Sequence, residues 1–320
     1  MSNEVKRLFQ QFQPQHYELA IEPDANSMTF GGTVTIEGRK VGPPSQRLTL
    51  HQKDLKIADA KLIKHDKKGD REITVSRTNT HGSFDELRLH ADEMLYPGQY
   101  TVSMSFKGKI TKSLQGVYPC FYKHDGKDKV VIATQLESHH AREVFPCIDE
   151  PEAKATFDVS YTAPKGQTVL SNMPSKASKA VGNKVTTSFE TTPKMSVYLL
   201  AFIAGELHNV ETKSKSGVTV RSWSTVAQPK SHLEYSAHEA ADTLDFFADY
   251  FKTPYPLPKL DQVALPDFDA AAMENWGVVT YREMALLADT KNRSISSEQF
   301  VSQVIAHELS HQWFGNLVTM

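Results

Sequence analysis

Tyr100-Thr101-Val102-Ser103-Met104-Ser105-Phe106 alternates large apolar with small polar side chains without a break. Successive side chains of an extended chain point to opposite faces, so a period of two predicts a half-buried strand. Val34 with Ile36, Leu48 with Leu50, and Phe157 with Val159 and Tyr161 repeat the pattern. Turn signals fall between such runs at Gly31-Gly32, Gly42-Pro43-Pro44 and Pro97-Gly98. The polar tracts His65-Asp66-Lys67-Lys68-Gly69-Asp70 and His124-Asp125-Gly126-Lys127-Asp128-Lys129 are expected hairpin tips. Leu199 to Gly205, the most apolar run, is strand-sized. Residues 1–205 are therefore expected to form a mainly β N-terminal domain, antiparallel, with many short strands in a sandwich or saddle.

Past residue 206 the pattern changes. Val218 to Trp223 still has strand character, but Leu233, Ala237, Ala241 and Leu244, with Phe247 or Phe251, fall at helical spacing. Ser231 opens that segment and Pro254-Tyr255-Pro256-Leu257-Pro258 closes it. A strand-like run, Gln262 to Leu265, leads to a loop around Glu274, and a last helix follows. Strand and helix around a cleft make residues 206–320 an α+β region.

That last helix carries His307-Glu308-Leu309-Ser310-His311. Residues four apart lie on one helix face about a turn from each other, so two imidazoles can reach one metal ion. Glu308, about 100° further round, is placed as a general base towards a water rather than as a ligand. Ser296 or Ser297 is the expected N-cap, with Gln299 as capping-box partner. Phe300, Val301, Val304, Ile305 and Leu309 form the stripe expected to bury the helix.

The chain has 320 residues, enough for two domains, with 39% hydrophobic and 23% charged residues. A formal net charge of −2 carries no nucleic-acid or anionic-membrane signature. Cys120 and Cys147 are too few for a disulfide framework. Met1-Ser2-Asn3-Glu4-Val5-Lys6-Arg7 leads into Gln-rich sequence with no apolar core of a signal peptide, and no run is long enough to span a bilayer. A cytoplasmic location is expected, with neither nucleic acid nor membrane as partner.

Three segments together resemble the M1 family of zinc metallo-aminopeptidases, the aminopeptidase N group. His307 to Met320 is similar to the family's zinc segment. Ala271-Ala272-Met273-Glu274-Asn275-Trp276-Gly277 resembles its Gly-Ala-Met-Glu-Asn exopeptidase motif, with Ala271 where the family has glycine. Thr134-Gln135-Leu136-Glu137, followed by Ala141-Arg142 and Phe145-Pro146-Cys147-Ile148-Asp149-Glu150-Pro151, is similar to its amino-terminal signature. The resemblance covers the whole chain but only the front third or so of a typical member. It implies that residues 206–320 begin a thermolysin-like zinc peptidase domain.

It further implies one Zn2+ on His307 and His311, with Glu308 as catalytic base. The third ligand is expected outside this chain, a glutamate in an Asn-Glu-Gly segment roughly ten positions beyond Met320, and the tyrosine that steadies the tetrahedral intermediate also lies downstream. Glu274 and Glu137, with Gln135 beside them, would hold the substrate's α-ammonium, and Ala271, Ala272, Met273 and Asn275 would complete the substrate-binding segment. An α-amine with a pKa of roughly 8 is mostly cationic at neutral pH, which is why carboxylates suit that task. The expected activity is release of single residues from peptides with a free N-terminus. The expected partners are such peptides and the remaining C-terminal part of the same protein. Alone, the 320 residues are expected to show little activity; the rival expectation is a non-catalytic peptide-binding or scaffold remnant. Arg142 with Asp149 and Glu150 is expected to be a structural ion network, and His139 and His140, facing opposite ways on a strand, to share no metal.

Overall fold

The structure is a computed structural model and describes residues 7–67, 69–289 and 294–320. The chain divides into two compact units whose segments alternate along the sequence. The first comprises residues 1–110, 136–162 and 191–198, and the second residues 111–135, 163–190 and 199–320.

In the first unit, strand Phe12–Asp24 lies between Thr156–Pro164, to which it is parallel, and Thr29–Lys40, to which it is antiparallel. Gly98–Lys109, Lys56–Asp66 and Gly69–Ile73 extend the sheet, all antiparallel. Tyr100, Val102, Met104 and Phe106 are all buried, as their alternation requires. Tyr17 stacks on Phe157 at 4.9 Å and its hydroxyl accepts the Ile148 N–H. A second, three-stranded sheet runs in the order Ser45–His51, Glu86–Leu95, Val75–His81. Arg142 Nε donates to the buried Asp149 carboxylate at 2.9 Å, and the Glu150 carboxylate accepts the backbone N–H groups of Leu8 and Phe9.

Some expectations need correction. Gly31 and Gly32 lie inside strand Thr29–Lys40 and make no turn. A Cβ on Gly32 would collide with the Ala20 carbonyl oxygen and stand 2.8 Å from the Phe106 ring, so sheet packing holds that position to glycine. His139 and His140 sit in a turn rather than a strand, and their rings stack at 4.8 Å. His140 Nδ1 bonds the Glu143 carboxylate at 3.0 Å. The pairing of Asp66 with Gly69 fits the expected hairpin, although Lys68 at its tip lies outside the described residues, as do Met1 to Lys6 of the N-terminal run.

The second unit contains a four-stranded sheet, Thr168–Ser171, Phe202–Gly205, Lys127–Gln135 and Gly116–His124 in that order. His124 pairs with Lys127 across the second expected hairpin. A five-stranded sheet follows, in the order Leu207–Lys213, Thr219–Thr225, Lys259–Leu265, Val278–Arg282, Ala272–Met273. Its three central strands are parallel, and every residue of Lys259–Leu265 is buried. Helix α1 (Glu234–Tyr250) buries Ala237, Ala240, Ala241 and Leu244. Helix α2 (Ile295–Ser310) packs against α1, with the Tyr235 hydroxyl 2.7 Å from that of Ser302. Cys120 and Cys147 are both buried and free. Among the described residues no helix is long and apolar enough to cross a membrane.

Candidate metal centre and amine pocket

Helix α2 begins two residues earlier than the serine pattern suggests. Ser294, not Ser296 or Ser297, is the N-cap. Its Oγ accepts the Ser297 N–H at 3.1 Å and Ser297 Oγ accepts the Ser294 N–H at 3.0 Å, a reciprocal capping box without Gln299. Val301, Val304, Ile305 and Leu309 are buried, whereas Phe300 is 39% exposed and leaves the expected stripe. Four buried positions within nine residues are enough to orient the helix, so the two histidines fall on its open side.

His307 is exposed and His311 half-buried. Their Nε2 atoms stand 3.3 Å apart with the rings at 80°. His311 Nδ1 lies 3.0 Å from the Phe314 carbonyl oxygen, a bond that requires the proton on Nδ1 and leaves Nε2 as a lone-pair donor. Two nitrogens about 2.05 Å from a tetrahedral zinc stand about 3.3 Å apart, so the donor pair fits that ion. Glu308, on the same turn, is 4% exposed. The Tyr281 side chain is close to it: burial first, then the Glu308 charge, raise the Tyr281 hydroxyl well above its usual pKa.

Glu274 follows the edge strand Ala272–Met273 and is 5% exposed. Its backbone carbonyl accepts from Asn316 Nδ2 at 2.9 Å and from Gln312 Nε2 at 3.3 Å. Both amides lie just past α2 and are completely buried. A Cβ on Gly315, whose φ is +129°, would stand 3.4 Å from His311 Nδ1 and 3.9 Å from Glu274 Oε1. The carboxylate and the second histidine therefore border the same small space. Glu274 Oε1 is buried with no hydrogen-bond partner among the described residues. A buried carboxylate oxygen left in that state is costly unless a donor or cation arrives.

The rest of the motif supports this placement. Asn275 Nδ2 donates to Thr280 Oγ1 at 3.2 Å, and the Asn275 carbonyl accepts the Val278 N–H. Met273 and Trp276 are 1% and 2% exposed, so both are core. Ala272 is half-buried, and Ala271 is exposed with its carbonyl on the Arg282 N–H. Below the loop, Lys259 Nζ donates to the Gly277 and Ser171 carbonyls at 2.8 and 2.6 Å and pairs with Asp261 at 2.7 Å. Burial pulls the Lys259 pKa down, and Asp261 opposes that. Gln135 ends strand Lys127–Gln135 in this unit, and its Oε1 is buried without a partner among the described residues. Glu137 belongs to the first unit and is half-buried.

Sequence reasoning assigned no role to Gln312, Asn316 or Lys259. Two amides packed among apolar neighbours directly after a metal motif were the available signal for the first two. Lys259 gave none, because its acceptors come from distant parts of the chain.

Residues 13–199 match the Peptidase M1 N-terminal domain, and residues 235–320 match the Peptidase family M1 domain. "Aminopeptidase N" of Lactococcus lactis subsp. lactis is 43% identical over 323 residues, covering 100% of this chain and 36% of that protein. "Aminopeptidase M1" of Arabidopsis thaliana is 39% identical over 307 residues, covering 96% and 35%. "Glutamyl aminopeptidase" of Homo sapiens is 40% identical over 312 residues, covering 96% and 32%. The chain spans about a third of the length of the curated relatives it matches. A mainly β fold leading into a sheet-and-helix unit, a histidine pair spaced for zinc beside a buried glutamate, and these matches agree: the chain belongs to the M1 peptidase family.

Proposed function

We propose that this chain supplies the water-activating and amine-binding parts of a zinc aminopeptidase that removes single residues from peptide N-termini. The observation that carries the reading is the pair of Nε2 atoms 3.3 Å apart on the helix that also bears the buried Glu308, with the Glu274 carboxylate oxygen bordering the same space. His307 and His311 would hold the ion, with a third ligand from outside these 320 residues. Zinc, when bound, supplies Lewis-acid polarisation of a carbonyl and lowers the pKa of a neighbouring water. Glu308 takes a proton from the attacking water and passes it to the leaving amine. Glu274 accepts hydrogen bonds from the substrate's α-ammonium, and a buried, partner-free oxygen is suited to that cation. Gln135 and Glu137 join in the same capture on the strength of their motif, and Ala271, Ala272, Met273 and Asn275 fix the position of Glu274. The domain division proposed is a β domain over 1–205 and a thermolysin-like region over 206–320. Two buried free thiols favour the cytoplasm as compartment.

Zinc titration of the 320-residue chain against a chromophoric chelator tests the site without relying on turnover. One ion per chain is expected, lost in His307→Ala and in His311→Ala and kept in Glu308→Ala. Equal zinc binding by all four proteins overturns the reading and leaves the rival, a non-catalytic scaffold. Phe314 and Leu317, 58% and 41% exposed, are the apolar surface such a scaffold would offer; Trp313 is buried at 2% and offers none.

A further inference from the structure

The three-stranded sheet of the first unit has two contrasting faces. Leu48, Leu50, Leu87 and Leu89 are buried on one. On the other, the register sets Arg47 opposite His90, Thr49 opposite Arg88 and His51 opposite Glu86. Across the other edge of the central strand, Arg77 is opposite His90, Asn79 opposite Arg88 and His81 opposite Glu86. Directly opposed residues share a face, so three guanidinium groups and three imidazoles are gathered with Glu86 as the one acid among these nine positions. Glu86 is committed to Arg88, its Oε2 2.7 Å from Nε and 2.6 Å from Nη2. Among the described residues neither Arg47 nor Arg77 has an ion-pair partner. Burial lowers the His90 pKa, and the Arg77, Arg47 and Arg88 charges lower it further.

A cavity of about 950 Å³ opens against this face, with Arg47, Thr49, His51 and Arg88 in its wall; Arg77 lies on the same face outside that wall. That volume is at the upper end of small-molecule sites. Thr49 is 2% exposed, and its hydroxyl has no hydrogen-bond partner among the described residues. The four acids in its wall are already engaged: Asp149 by Arg142, Asp85 by the same guanidinium at 3.6 Å, Glu86 by Arg88, and Glu150 by two backbone N–H groups. Phe84 also lines the cavity, 55% exposed, with its ring stacked on His81 at 4.9 Å.

We propose that this face binds a nucleoside di- or triphosphate, with Arg47, Arg77 and Arg88 on the phosphates, Thr49 donating to a phosphate oxygen, and Phe84 against the base. Arg47 and Arg77 stand on strands about 10 Å apart, a span that suits a chain of phosphates better than a single one. Planar guanidinium groups match phosphate oxygens bidentately, and the two charges without an ion-pair partner, Arg47 and Arg77, gain from an anion between them, with Arg88 contributing the N–H groups that Glu86 leaves free. None of these residues belongs to the zinc and amine site.

The test is calorimetric titration of the 320-residue chain with ATP and with inorganic triphosphate, at low salt and with EDTA so that no metal at His307 and His311 captures phosphate. Both probes are expected to bind, ATP several-fold more tightly. The double variant Arg47→Ala/Arg77→Ala should weaken both at least tenfold and flatten the salt dependence. Phe84→Ala should remove the advantage of ATP over triphosphate. Both arginines are exposed, so the double variant should melt with the wild type, and Arg71→Ala, an exposed arginine paired with Glu93, should leave binding unchanged. Absence of binding, binding indifferent to the double variant, or equal affinity for a hexaglutamate peptide overturns the proposal.

Discussion

Lys259→Met tests what holds the Glu274 loop in place. The ammonium is buried, with its side chain 5% exposed, and has three acceptors: the Asp261 carboxylate at 2.7 Å and the Ser171 and Gly277 carbonyls at 2.6 and 2.8 Å. Methionine fills similar volume but supplies no donor. Asp261, 4% exposed on its side chain, would keep the Trp223 indole N–H at 2.9 Å and the more distant Arg221 at 3.7 Å. Removing one partner of such a buried pair costs about 3–5 kcal/mol, chiefly because the remaining charge is stranded. Those two remaining donors to Asp261 argue for the lower end of that range. Urea unfolding of the second unit, followed through the fluorescence of Trp223, Trp276 and Trp313, which all lie in it, measures the loss. The double variant Lys259→Met/Asp261→Leu removes both charges, and should recover at least half of it. A loss below about 1 kcal/mol for the single variant, or a double variant no better than the sum of the two singles, would refute the account of a buried pair bracing the loop.

Two further outcomes are expected. Burial and then the Arg142 charge lower the His51 pKa to about 3, below the unfolded value of about 6.5, so the unfolded chain takes the proton first as pH falls. Stability should be intact above about pH 6.5 and decline towards pH 3, by at most about 1.4 kcal/mol per pH unit from this group; in His51→Asn that limb of the urea-midpoint profile should flatten, and an unchanged slope assigns the effect elsewhere. Gly277 has φ +82°, and a Cβ there would collide with the Asn172 carbonyl and stand 2.8 Å from Leu257 Cδ1, so Gly277→Ala should cost about 2 kcal/mol or more in a thermal melt. A melt indistinguishable from wild type would show that the turn adjusts freely.

The strands were legible because their alternation is a local property: Tyr100 to Phe106 and Phe157 to Tyr161 bury the residues the period selects. The helical spacing after Ser231 was legible for the same reason, with Leu233, Ala237, Ala241 and Leu244 buried. Gly31-Gly32 misled because a glycine can mark a turn or make room for a neighbour, and only the approach of Phe106 and the Ala20 carbonyl decides which. The helix cap was misplaced because Ser294, Ser296 and Ser297 offer competing frames, and local spacing alone does not choose among them. At the site, the histidine pair was readable from i, i+4 geometry, and Glu274 from its motif. The Asn316 and Gln312 bonds to Glu274 join residues 42 and 38 positions apart, and no local pattern encodes them.

Those two amides have a consequence for how the molecule can vary. The gap between the imidazole of residue 311 and the acid of residue 274 is fixed by side chains gripping one carbonyl, not by the stretch of polypeptide joining them. Loops in that stretch can therefore lengthen or shorten over generations without resetting that gauge of distance. Change either amide, and the gauge itself would drift.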